Sequence, residues 1–205
     1  MANDYLQNIN KKETNPKLVS LSTFAHSNKV PIITPEGIRF LTQVIKLRNV
    51  KRVLEIGTAI GYSSINMAFN TGCNVVTIER DQKMYDLAIK NIKSMELEDK
   101  IEVVFGDALE VDETTLGLFD MIFIDAAKAQ SIKFFEKYET LLTDTGVIVT
   151  DNLLFHGLVT ETIKDRNLRQ LVRKIDRFNK YVVEREEYDT FIYELGDGMS
   201  LSIKK

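Results

Sequence analysis

The chain has 205 residues, 44% hydrophobic and 28% charged, which is the size of one domain and enough for a sizeable core. A single cysteine, Cys73, excludes an intrachain disulfide, and two histidines and one cysteine exclude a Cys/His zinc set. No stretch approaches the ~18 apolar residues of a membrane span, and the polar opening residues carry no signal core, so a cytoplasmic protein with no membrane partner is expected.

In chain order, Thr34 caps a helix whose first position is Pro35, where the missing N–H costs nothing, and Glu36–Leu47 continues it. Short β-branched runs then follow at Arg52–Ile56, Asn74–Ile78, Ile101–Phe105, Phe119–Ile124 and Gly146–Thr150. Between them lie stretches of helical period, including Gln82–Met95 and Ile132–Leu142. Cys73, just before the second run, reads as a small half-buried residue. Near-continuous apolar strands joined by helices predict a parallel sheet covered on both faces. The tail departs from this pattern. Phe191–Leu195, Gly196-Asp197-Gly198 and Met199–Ile203 predict a closing antiparallel hairpin. The expected fold is α/β, a doubly wound, mostly parallel seven-stranded sheet with that hairpin and N-terminal helices. Without repeats or linkers it forms one domain over residues 1–205, with 1–48 a helical extension.

Ligands of such sheets sit at the carboxyl ends of the strands, near the point where strand order reverses. The first strand runs into Gly57-Thr58-Ala59-Ile60-Gly61, two glycines that permit a tight turn and a helix start whose N–H groups face a ligand. The spacing is not GxGxxG, which disfavours a dinucleotide and an NAD-linked dehydrogenase. Glu79 ends the second strand, about 20 residues past the glycines, where a carboxylate suits ribose hydroxyls. Gly106-Asp107-Ala108 ends the third and can meet an adenine edge. For Glu79 and Asp107 the alternative is helix capping. The fourth and fifth strands end in Asp125 and in Asp151-Asn152, an oxygen-rich set suited to Mg²⁺, Mn²⁺ or Ca²⁺, or else two capping carboxylates with no ion. His156, four residues past Asn152, is a substrate contact or an ordinary loop histidine.

The runs RVLEIGTAIGYSSINMA, VVTIERD, FGDA, FIDAAK and TDNLL resemble the metal-dependent class I O-methyltransferases, the group of catechol and caffeoyl-CoA O-methyltransferases. The resemblance covers the chain from about Val30 onward, in motif order and spacing. It is closest to a bacterial branch of tRNA 5-hydroxyuridine methyltransferases. It implies a Rossmann-like methyltransferase fold, S-adenosyl-L-methionine (SAM), a divalent metal (Mg²⁺ first) and a homodimer. It also implies metal ligation by Asp125, Asp151 and Asn152, and cofactor contacts from Ile32 (backbone), Gly57, Ser63, Glu79, Asp107, Ala108 and Asp125. Lys128 falls where the family places its candidate general base; the alternative is a lysine that stabilises a nearby carboxylate.

Charge is distributed unevenly. Between Lys164 and Arg185 eight basic residues meet three acidic ones, in a chain of net charge −3. At about 100° per residue, Arg166, Arg169, Arg173, Arg177 and Lys180 share one helical face. Leu168, Leu171, Val172, Ile175 and Phe178 lie opposite and are expected to pack on the sheet. The stripe reads as a phosphate track or as a solvated face. The expected function is SAM- and metal-dependent methylation of 5-hydroxyuridine at the tRNA wobble position, with the anticodon loop as partner and Tyr62 or Phe155 as stacking candidates. The alternatives are a small catechol-like acceptor and, from another class, a non-catalytic nucleoside- or RNA-binding module. A binding module has no need of the Asp125/Asp151/Asn152 set.

Overall fold

A computed structural model describes residues 2–205, without the side chains of residues 2–4 and 7. Three helices, α1 (Ala2–Ile9), α2 (Pro16–Ser27) and α3 (Pro35–Arg48), precede the first strand. The Thr34 side chain accepts from Gly37 N at 3.1 Å and Pro35 opens α3, while Asn49 closes it in the left-handed region. Then β1 (Arg52–Ile56), α4 (Tyr62–Thr71), β2 (Asn74–Glu79), α5 (Gln82–Ser94), β3 (Ile101–Phe105) and β4 (Phe119–Ile124) alternate. They are followed by α6 (Ser131–Tyr138), β5 (Leu142–Thr150), α7 (Arg166–Glu184), β6 (Tyr188–Tyr193) and β7 (Met199–Lys204).

These strands form one seven-stranded sheet in the order β3-β2-β1-β4-β5-β7-β6. β1 to β5 are parallel, and β7 runs antiparallel to both β5 and β6. This is the expected doubly wound fold with its hairpin edge. Strand residues alternate between two cores, as a two-residue period requires. Val53, Val75, Met121, Phe123 and Val149 pack under α2, α3, α4 and α5. Leu54, Ile78, Ile122, Ile124 and Ile148 pack under α6 and α7. Cys73 is buried rather than half-buried, because the turn before β2 sits on the first core. Among the described residues no helix is long and apolar enough to cross a membrane.

Strand order reverses between β1 and β4, and the backbone ladder continues one residue past each strand end. Asp125 N donates to Ile56 O at 3.0 Å, Asp151 N to Ile124 O at 3.1 Å, and Gly57 N to Ile78 O at 3.1 Å. The first residues of three loops, Gly57, Asp125 and Asp151, are therefore held in register, side by side, at the switch point.

The second core depends on α7. Val172, Ile175, Phe178 and Val182 are its buried residues, and Phe178 meets Phe135 edge-on at 6.3 Å. Leu168 and Leu171, expected in the core, are only half-buried: they lie in the first two turns of α7, and its buried residues begin at Val172. Phe178→Ala should cost about 3–5 kcal/mol of unfolding free energy in a urea titration. A loss under about 1 kcal/mol would mean that α7 contributes little to the core.

Candidate active site

All seven residues expected at the cofactor, Ile32, Gly57, Ser63, Glu79, Asp107, Ala108 and Asp125, line one open cavity of about 230 Å³ at the switch point. Pro31 and Ile33 complete the wall before α3, Thr58 and Ala59 the floor, and Asn152 the far side. Gly57 adopts φ +101°, and a Cβ there would run into the Asp125 carbonyl. Only glycine allows these two loops to approach so closely. Gly61, at φ +82°, turns the chain into α4 and leaves the helix's first N–H groups toward the cavity. Tyr62, a stacking candidate, is largely buried in the first core and also lines the cavity.

The Glu79 carboxylate is more committed than the sequence suggests. Oε1 accepts from Arg80 N at 2.9 Å and Asp81 N at 2.8 Å, and Oε2 accepts from Ala59 N at 2.8 Å. Three of a carboxylate's roughly four acceptor sites are therefore filled by backbone. It ties the β1 and β2 loops together and keeps one position on Oε2 for a ligand hydroxyl. Asp107 accepts from Leu109 N at 2.9 Å and pairs with Arg80 Nη1 at 3.2 Å. The Leu109 N–H, then Arg80, hold its carboxyl below the usual range. Arg80 was not anticipated, because a lone arginine after a strand carries no pattern. The Ala108 carbonyl accepts from the buried Tyr138 hydroxyl at 2.6 Å, which fixes the third loop.

At the ends of β4 and β5, Asp125, Asp151, Asn152 and Lys128 come together. Asp125 Oδ1 accepts from Lys128 Nζ and from Asn152 Nδ2, both at 2.9 Å, and Asp151 Oδ1 accepts from Asn152 N at 2.7 Å. Asp151 is buried, and burial, followed by the neighbouring Asp125, pushes its carboxyl up to about 7. A single ammonium thus faces two carboxylates in a poorly solvated place. Oxygen donors and excess negative charge fit a hard divalent cation, with Asp125, Asp151 and the Asn152 amide oxygen as the ligands. Among the described residues no three His, Cys, Asp or Glu side chains converge, so the set depends on Asn152. Asn152 takes a left-handed φ of 64°, which aims its side chain back at Asp125. Lys128 is found as the ion-pair partner of Asp125.

A further buried acid lies beneath the floor. Glu55, within β1, accepts from Thr77 Oγ1 at 2.7 Å and closely from Ser63 Oγ, and Thr77 Oγ1 meets Thr58 Oγ1 at 2.7 Å. The signal was present in the sequence, a charge inside an apolar strand. Burial raises the Glu55 carboxyl from 4.5 to about 7 against these hydrogen bonds. A carboxyl that is harder to ionise when folded stabilises the fold below its unfolded value, and that contribution is lost as pH rises through about 7. Glu55→Gln should therefore unfold at a higher temperature than the wild type at pH 8, by on the order of 2–3 kcal/mol, with the gap closing near pH 5. A gap that does not change between these pH values in parallel melts would refute the buried-acid reading.

Comparison with known proteins places the geometry in context. The O-methyltransferase family model matches residues 9–205. A caffeoyl-CoA O-methyltransferase from Populus kitakamiensis is 31% identical over 93% of this chain and 83% of its own length. A catechol O-methyltransferase from Niastella koreensis is 30% identical over 98% of this chain and 95% of its own length. A Staphylococcus aureus structure provisionally described as a caffeoyl-CoA O-methyltransferase superposes with a TM-score of 0.89 at 39% identity, covering 100% of this chain and 97% of that one. The O-methyltransferase from Bacillus cereus, solved in complex with SAH, superposes with a TM-score of 0.85 at 27% identity, covering 100% and 97%. With residues 9–205 of the chain matched, it belongs to the O-methyltransferase family.

Proposed function

We propose that this enzyme transfers the methyl group of SAM to an acceptor bearing two adjacent oxygens, and that the acceptor is 5-hydroxyuridine at the wobble position of tRNA. The cavity at the switch point carries the first part: seven residues from five separate chain segments line one space large enough for part of a nucleoside. The SAH complex of the Bacillus cereus relative supports the same cosubstrate.

The chain's own groups divide the work. Glu79 Oε2 has the remaining acceptor position for a ribose hydroxyl, and Asp107 with the Ala108 backbone faces the base. When bound by Asp125, Asp151 and Asn152, a divalent cation supplies Lewis-acid polarisation of an acceptor hydroxyl. Lys128 is the candidate general base. Its Nζ lies 2.9 Å from Asp125 Oδ1, so it must release a proton before it can take the acceptor's. A second acceptor oxygen beside the first fixes orientation, which raises the share of productive encounters. Catechols and 5-hydroxyuridine both present such a pair.

The basic stripe supports the RNA acceptor. Arg166, Arg169, Arg173, Arg177 and Lys180 are all exposed on α7. Lys180 is paired with Asp176 at 2.8 Å, while Arg185 is withdrawn from the surface by Glu139 and Glu187. The 3-10 turn Lys128–Gln130 packs against α7, and Asn179 Nδ2 donates to Leu153 O at 2.9 Å, so the helix flanks the loops that carry the carboxylates. A small catechol is the second reading, favoured by the activity named for the Niastella koreensis relative.

Labelled SAM offered with Mg²⁺ to tRNA from cells lacking the protein, beside a catechol control, distinguishes the two. Label in tRNA as 5-methoxyuridine is expected, and Arg173→Glu/Arg177→Glu should reduce tRNA methylation at least tenfold more than any catechol methylation. Label in catechol alone would discard the RNA acceptor.

A further inference from the structure

The loop after β5 is held in a conformation that its sequence does not favour. Asn152, Phe155, His156 and Gly157 all have left-handed φ, at 64°, 47°, 57° and 78°. Three of these carry a Cβ, and such a run persists only where surrounding structure holds it. The hairpin turn between β6 and β7 does so. Leu153 N donates to Gly198 O at 2.9 Å, Leu154 N to Asp197 O at 2.8 Å, and His156 N closely to Asp197 Oδ1. The His156 ring approaches Asp197 Oδ2 at 3.6 Å, and the Asp197 side chain is 14% exposed.

The same turn presses on the opposite wall of the cavity. A Cβ at Gly196 would lie 2.5 Å from Thr34 Oγ1, the cap of α3, immediately after Ile32 and Ile33. One at Gly198 would lie 2.6 Å from Leu154 Cγ. The turn therefore lies between the loop after β5 and the segment that leads into α3. Asp197 itself does not line the cavity.

We propose that Asp197 is a positioning residue for the acceptor substrate: by accepting the His156 N–H it fixes the 152–157 loop, and with it Asn152 at one end and the stacked Phe155–His156 rings at the other. The ring centroids of that pair are 5.7 Å apart at 29°, a stacked arrangement three residues past Asn152 on the same loop. This rests on the reading that the acceptor binds at Asp125, Asp151 and Asn152. Gly196, not Asp197, is the turn residue that meets Thr34, whereas the Asp197 carboxylate bonds the 152–157 loop, so cofactor affinity should be largely independent of Asp197.

The test compares Asp197→Ala with Asp197→Asn, whose amide oxygen can still accept from His156 N. Three quantities are read: KM for whichever of catechol or tRNA the wild type methylates, SAM affinity by calorimetry, and amide exchange of the peptide 152–158. Asp197→Ala should raise acceptor KM at least tenfold with SAM affinity within twofold of wild type and faster exchange, and Asp197→Asn should recover most of each. Unchanged KM, a parallel fall in SAM affinity, or an asparagine variant no better than alanine would overturn the proposal. If the wild type methylates neither acceptor, the acceptor reading fails on its own, and exchange still decides the clamp, since unaltered exchange in Asp197→Ala overturns it.

Discussion

Carboxylates crowded into a poorly solvated switch point are the constraint around which this site is built. Glu55 lies inside β1, Asp125 one residue past β4, and Asp151 one residue past β5, and the continuing ladder leaves them no freedom to separate. Burial pushes both Glu55 and Asp151 to about 7. Hydroxyls satisfy the first, whereas the second shares one ammonium, Lys128, with Asp125. Buried like charges are unfavourable unless something compensates them, so the pair at β4 and β5 is poised for a cation in a way the hydrogen-bonded Glu55 is not.

The neighbouring parts follow from the same crowding. Gly57 has no side chain because the Asp125 carbonyl occupies that space. Glu79 spends three acceptor positions on backbone N–H groups, joining two loops into one rigid floor. Arg80 crosses to Asp107, and Tyr138 anchors the Ala108 carbonyl from α6. The loops that line the cavity are thus tied to one another by hydrogen bonds before any ligand arrives, an arrangement that costs little reorganisation on binding.

Much of this was legible in the sequence. Strands β1, β3 and β4 fall where the β-branched runs begin and end, and the α3 start follows from Thr34 and Pro35. The less legible parts have physical reasons. β6 begins at Tyr188, not Phe191, because Tyr188-Asp189-Thr190 alternates burial on an edge strand and shows no apolar run. β5 begins at Leu142, through the polar Thr143-Asp144-Thr145 that lies mostly at the surface. The site motifs name which residues meet, but not how committed each is. Glu79 read as a ribose ligand or a helix-capping carboxylate. Its Oε1 does accept backbone N–H groups ahead of α5, but nothing local to the motif foretold the third donor, Ala59 N from the β1 loop. Asp197 lies in a turn some 40 residues from His156, and only the folded hairpin brings them together.

The most direct test of the account is whether the carboxylate pair holds a divalent ion without substrate. Mn²⁺ titrated into the protein and followed by electron paramagnetic resonance should show one bound ion per chain, and Asp125→Ala should lose both that ion and methyl transfer while melting as a folded protein. An Asp125→Ala variant that binds Mn²⁺ and turns over like the wild type would contradict it.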